Sequence, residues 1–275
     1  NGAGTSALTN EQCSPYTVHY AYDTVALAKG TGAAVVANGG KEWYFLTADY
    51  AFGHSLESDT ANVVKAKGGT VKGSVRHPLN ASDFSSFLLQ AQNSKAQILG
   101  LANAGGDTIN AIKAARDFGI NKSMQMAGLL VFVTDVHSLG LKNTEGLLLT
   151  TSWDWNLNDE SRAFGRKFQA KTKRMPTDIQ AANYSATMQY LKALEKAGTT
   201  DADKVMEVLK SAPIQDFYAQ GLIRPDGRYA HDMYLMQVKS PAESKEAWDY
   251  YKVVSKLPAE QVWTTKEESK CALWK

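Results

Sequence analysis

Residues 96–118 read AQILGLANAGGDTINAIKAARDF. An apolar run, Gln97-Ile98-Leu99, leads into Gly100-Leu101-Ala102-Asn103-Ala104-Gly105-Gly106-Asp107-Thr108. A helical period follows at Ile109, Ile112, Ala115 and Phe118. A plain strand-to-helix connection has no need of small residues, one amide and two glycines. A surface that another molecule approaches closely does, because glycine lets backbone N–H groups reach a bound group and the helix start favours an anion. Asp107 or Thr108 is placed to cap that helix. No G-x-G-x-x-G is present, so a dinucleotide fingerprint is excluded.

The same alternation runs outward on both sides. Apolar runs at Trp43–Leu46, Val71–Val75, Ala96–Leu101, Met124–Ala127 and Gly146–Thr150 alternate with amphipathic segments. Those segments are His54–Lys67, Asp83–Asn93, Asp107–Phe118 and a shorter one near Val133–Leu139. Lys67-Gly68-Gly69 and Phe118-Gly119 suit left-handed helix ends. Strand, helix, strand at this spacing predicts right-handed βαβ units on a largely parallel sheet, an α/β fold. After Thr151 helices dominate: Ser161–Thr172, Asp178–Gly198 and Asp201–Ser211. Strand patterns resume at Gly221–Arg224 and Met233–Val238, with Pro225-Asp226-Gly227 as the turn between them. The tail from Lys239 to Lys275 is aromatic and irregular. Residues 1–30 and 160–230 supply helices but hardly any parallel strands, so the chain reads as a fragment whose first lobe opens elsewhere.

The chain has 275 residues, 44% hydrophobic and 21% charged, with a net charge of +2. That balance argues against nucleic acid or an anionic membrane as the main partner. No apolar run approaches the ~20 residues needed to span a bilayer. The opening NGAGTSALT lacks the basic start and apolar stretch of a signal peptide, so any export signal is expected to be gone. The two cysteines, Cys13 and Cys271, are either unrelated thiols or one bridge closing a very long loop, worth about 4–5 kcal/mol in the chain-entropy model. Exposed thiols would be a liability in such polar surroundings. The bridge and an oxidising compartment are therefore favoured.

Convincing catalytic residues are missing. Gly53-His54-Ser55 lacks the second glycine of a nucleophile elbow, since Leu56-Glu57 follow. His19, His54, His77, His137 and His231 are scattered without a metal-ligand spacing. Asp49, Asp135 and Asp154 end or follow strands, but no two form a paired acid and base. Aromatics at Tyr50 and Phe52, directly after a strand, can stack on a ligand. Strand-end pockets without a nucleophile, base or metal favour binding over turnover: no enzyme, no cofactor and no metal are expected.

The runs TADYAFGHSLE, GLANAGGDT, Ala127–Phe132 (AGLLVF) and TDVHSLGL resemble those of the periplasmic solute-binding proteins of ABC importers. The class is that of the branched-chain amino acid (leucine/isoleucine/valine) binders. The ending HDMYLMQVKSPAESKEAWDYYK is similar to a subgroup associated with aromatic acids such as benzoate and hydroxycinnamate derivatives. The resemblance implies a two-lobe type I periplasmic binding protein fold, each lobe a mostly parallel sheet flanked by helices, closing on a solute between them. Three crossings would fall near Tyr20–Thr24, Thr151–Trp155 and Tyr229–Asp232. Residues 1–24 and 153–230 would be the remnant of the first lobe and residues 25–152 and 231–240 the second. Residues 241–275 would be a tail packing over the lobes.

The resemblance also implies site residues. Ala3, Gly4, Thr5 and Ser6 match the loop that holds a ligand carboxylate. Tyr50 or Phe52 matches an aromatic wall, and Asn103 and Gly105 face the solute, the amide giving one polar contact. Amino acid binders of this class carry an acid at the position of Leu130, to pair the ligand's ammonium. Here Leu129-Leu130 stands instead. An unpaired buried ammonium would cost roughly 3–5 kcal/mol, more than a hundredfold in affinity. The expected ligand is thus a small carboxylate with an uncharged body, and the expected partner is an ABC permease of the inner membrane. A monomer in the periplasm is expected. The alternatives are a branched-chain amino acid or amide held by the same fold, or an α/β hydrolase-type enzyme.

Overall fold

The computed structural model describes residues 2–275. The chain divides into two compact units. One comprises Asn1–Asp23, Thr151–Met233 and Leu257–Lys275; the other comprises Thr24–Thr150 and Tyr234–Lys256. The chain therefore passes from unit to unit at four points, where three were expected. The fourth arises because the last strand belongs with residues 234–256, while the segment after it returns to the unit that holds Cys13.

The second unit contains the predicted βα alternation. Its strands are β1 (Glu42–Ala48), β2 (Thr70–His77), β3 (Ile98–Ala102) and β4 (Gln125–Gly128), all parallel and ordered β2-β1-β3-β4. The helices are α1 (residues 24–37, with a π-helical segment Ala28–Gly32), α2 (Ala51–Ala66), α3 (Ser85–Asn93), α4 (Gly106–Asp117) and α5 (Val133–Leu139). β1 and β3 are continuous apolar runs because both faces of a parallel sheet are covered by helices. β2 alternates in exposure, as an edge strand does. Tyr44, Leu46, Leu99 and Leu101 pack with Phe84, Leu88, Ile112 and Ala115 in one core. Gly68 and Gly119 have φ of +80° and +71°, the left-handed helix ends that the sequence predicts.

Two sheet assignments differ from expectation. The run at 146–150 becomes β5 (Leu148–Thr151), which is not bonded to β4. It belongs to a separate sheet, in which it lies beside β9 (Met233–Val238), with β10 (Tyr251–Leu257) on the far side of β9. Here the N–H of Val238, in β9 (Met233–Val238), donates to Leu147 O at 2.9 Å, and Gly146 N–H donates to Val238 O at 3.0 Å. The tail is also more regular than its sequence: Tyr251–Leu257 forms β10.

In the first unit the helices are α6 (Asp159–Thr172), α7 (Asp178–Ala197) and α8 (Ala202–Lys210), close to the predicted ranges. Asn158, Thr177 and Asp201 cap them through side-chain acceptors. The sheet of this unit is antiparallel, not parallel: β6 (Ile214–Gln215), β7 (Gln220–Ile223) and β8 (Tyr229–His231) pair in that order. Tight turns, not crossover helices, connect these short strands, and antiparallel pairing is what such turns permit. The Pro225-Asp226-Gly227 turn thus joins β7 to β8, a strand too short to show in the sequence. Cys13 and Cys271 form a disulfide within this unit, 258 residues apart. Among the described residues no helix is long and apolar enough to cross a membrane.

Candidate functional site

In the second unit the carboxyl ends of β2, β1, β3 and β4 form one edge. The loops leaving that edge carry most of the expected residues, because parallel strands all send their following loops to the same side. Tyr50 and Phe52 leave β1 with ring centroids 5.9 Å apart. Tyr50 is 38% exposed and Phe52 is buried. Partial burial of Tyr50, and secondarily the charge of Asp107, push its hydroxyl pKa upward. It is a neutral ring with a donor hydroxyl at neutral pH. Leu129 and Leu130 directly follow β4 and are both buried.

The loop after β3 is the best-defined part. Asn103 is fully buried, and its side chain is committed within the unit. Its Nδ2–H donates to His77 Nε2 at 3.1 Å, and its Oδ1 accepts from Thr108 Oγ1 at 2.7 Å. His77 in turn donates from Nδ1 to Pro78 O at 2.9 Å, which fixes the tautomer. The amide therefore ties the ends of β2 and β3 to the start of α4. These bonds are a structural role that the sequence reading did not expect of this amide, because its partners are non-local: they lie 26 residues before it and 5 after. Gly105 sits at φ +57°, ψ −128°, a conformation that side-chain-bearing residues rarely adopt, and precedes α4 directly. Added carbon at Gly105 or Gly106 would meet nothing within 4 Å, so open space lies beside the backbone there. Asp107, in the first turn of α4, accepts from Asn80 N–H at 3.2 Å and Ala81 N–H at 3.1 Å.

The acids at this edge are all engaged. Asp107 holds the 80–81 backbone, Asp135 accepts from Phe132 N–H at 2.9 Å, and Asp49 bonds His54 Nε2 at 2.7 Å. A cavity of about 440 Å³ does exist in this unit, but it lies at the start of β4. Arg116, Lys122, Met124 and Glu145 are among the residues lining it, far along the strands from the loops above. A second cavity, of about 490 Å³, lies in the first unit between α6 and α7, lined by Phe164, Phe168, Tyr184 and Met188 among others. Neither contains a residue of the strand-end loops described above. Among the described residues no cluster of side chains could hold a metal.

The remaining expected residues, Ala3–Ser6, lie in the first unit. Gly4 is buried and Ala3 exposed. Thr5 caps the single-turn 3₁₀ helix Ser6–Thr9, its Oγ1 accepting from Ala7 N–H at 3.4 Å. Behind the loop, buried His19 bonds through Nε2 to Ala3 O. His19 is also the one residue of a bridge with Arg228 in β-type pairing: His19 N–H donates to Gly227 O at 2.9 Å and Tyr229 N–H to His19 O at 3.1 Å. Sequence reasoning missed His19, since a lone histidine after Val18 carries no motif.

Burial and the nearby Arg228 charge hold the His19 imidazole at about 2, far below its ordinary 6.5. The folded state thus resists a proton that the unfolded chain accepts. Stability is complete above pH 6.5 and falls as pH drops below it, by about 2 kcal/mol between pH 7 and pH 5 from His19 alone. Burial pushes His231 the same way, partly offset by its carbonyl partners, whereas buried Asp178, its pKa raised by burial, acts in the opposite sense. The melting temperature is expected to be lower at pH 5 than at pH 7, and the difference should shrink in His19→Gln. An unchanged difference in that variant would contradict the assignment.

A family model described as periplasmic binding protein matches residues 2–245. The chain is 67% identical to a periplasmic binding protein from Burkholderia mallei, covering 100% of this chain and 73% of that one, with a TM-score of 0.99. It is 38% identical to a branched chain amino acid ABC transporter periplasmic ligand-binding protein from Burkholderia xenovorans LB400, over 99% and 74% of the two chains, with a TM-score of 0.87. At 18% identity it shares its fold with an ABC transporter solute binding protein from R. palustris in complex with benzoate, over 98% and 72%, with a TM-score of 0.84.

Proposed function

Since the chain belongs to the periplasmic binding protein family, we propose that it is the extracytoplasmic solute receptor of an ABC importer. Its ligand in this reading is a small carboxylate with an uncharged, aromatic body, such as benzoate or a hydroxycinnamate derivative. The observation that carries this is the apolar pair Leu129-Leu130 after β4, beside an edge whose three acids already hold donors of their own. An α-ammonium group there would be desolvated without a counter-charge. A ring loses nothing by meeting leucines, and Tyr50 and Phe52 offer it further apolar surface. The carboxylate would take the N–H and hydroxyl groups of Ala3–Ser6, charge-assisted bonds of the kind neutral donors make to an anion. Binding without turnover, delivery to an inner-membrane permease and a periplasmic location complete the reading. The Cys13–Cys271 bridge fits an oxidising compartment.

The fold of the R. palustris protein holds benzoate, while the name of the B. xenovorans protein points to amino acids, so the choice rests on position 130. A thermal-shift panel decides it. Benzoate, 4-hydroxybenzoate or a hydroxycinnamate should raise the melting temperature and leucine should not. Leu130→Glu should weaken the best acid at least a hundredfold. Stabilisation by leucine with none by the aromatic acids would overturn the ligand class.

A further inference from the structure

His19 is buried, yet among the described residues its side chain makes a single hydrogen bond, from Nε2 to Ala3 O, and Nδ1 has no partner. Burying an imidazole for one bond is expensive unless that bond fixes something, because a buried polar atom left unpaired costs about 1–3 kcal/mol. The bond fixes the backbone of the loop Ala3–Ser6. The ring has little room to drift, because it is buried and the main chain of His19 is held on both sides by Gly227 and Tyr229. The turn carrying Gly227 is equally constrained: a Cβ there would lie 2.2 Å from Thr17 O, and its φ is +87°. One rigid hairpin turn, one ring and one carbonyl thus connect the β7–β8 sheet to the loop.

We propose that His19 is a positioning residue for anion capture: it holds the Ala3 carbonyl turned into the unit, so that the N–H groups of the loop are presented in the arrangement a carboxylate needs. The inference rests on the carboxylate reading of Ala3–Ser6 above. Preorganised donors bind an anion better than mobile ones because no ordering of the loop is left to be done on binding. The role requires a donor at the Nε2 position and not a charge. Gln reaches a similar point with an N–H, whereas Leu fills the volume and cannot donate.

The test compares His19→Gln and His19→Leu in the full chain, with benzoate as the probe and amide hydrogen exchange as a second readout. His19→Gln should bind benzoate within threefold of the parent, and His19→Leu at least tenfold more weakly. In His19→Leu, exchange at residues 4–8 should accelerate at least tenfold, with β7 and β8 protected as before. If both variants bind alike, or if His19→Leu loosens the whole unit and Gln does not restore residues 4–8, the positioning role is wrong. If benzoate binds none of the three proteins, the ligand reading fails by itself, and the exchange pattern at residues 4–8 still decides the role of His19.

Discussion

Gly53→Ala is expected to abolish stable folding of the second unit. Gly53 lies in the first turn of α2, and a Cβ built there falls 2.0 Å from Ala48 O, 3.0 Å from Ala48 C and 3.2 Å from Ala102 O. Backbone of β1 and β3, not a flexible side chain, stands in the way, so no rotamer change relieves the clash. The helix would have to lift away from the strand ends, taking buried Phe52, Leu56 and Val64 with it. Ordinary overpacking costs about 1–3 kcal/mol. Separating a helix from its sheet should exceed that, so a loss of at least about 4 kcal/mol is expected. Gly106→Ala is the control, since open space surrounds it and its φ is not positive. It should be neutral or slightly stabilising, as alanine is in helices. Urea unfolding followed by circular dichroism measures both. A Gly53→Ala midpoint equal to that of Gly106→Ala would refute the packing of α2 described above.

Removing the disulfide should have the next largest effect. Cys13 and Cys271 are separated by 258 residues, and the entropy of closing a loop of that length gives a stabilisation of about 5 kcal/mol in the chain-entropy model. For a unit of this size each kcal/mol moves the midpoint by several degrees, so Cys13→Ser with Cys271→Ser should melt roughly 10–20 °C lower. The parent treated with dithiothreitol should behave as the variant does. The effect is confined to the unit that contains both cysteines, so the second unit's transition should not move. Equal melting of parent and double variant would show that the bridge contributes little.

How far these features can be read from the sequence depends on whether their causes are local. β1 and β3 are legible because a strand covered on both faces must be apolar throughout, and the glycines at 68 and 119 announce the helix ends. The loop Gly100–Thr108 is legible as a special passage because only glycine supplies the backbone conformation found at Gly105. β10 is not legible: Tyr251–Leu257 buries no continuous face, so its lysines and serine read as loop. β5 carries a strand's composition, but nothing local says that its neighbour is β9 rather than β4. Asn103 shows the same limit within the candidate site. Its identity marks the position as important, while its partner His77 is brought to it only by the parallel pairing of β2 with β1 and of β1 with β3.

Asp107 riveting Asn80 and Ala81 has a mechanical corollary. Two loops that leave different strands share one carboxylate, so a displacement at 103–107 is transmitted to 80–81 without passing through the core. A dye attached at Leu79, which is half exposed, would register an event at the glycine passage without obstructing it. Asp107→Ala would weaken that coupling while leaving both strands in place, the bond from Asn103 to His77 remaining as the other link.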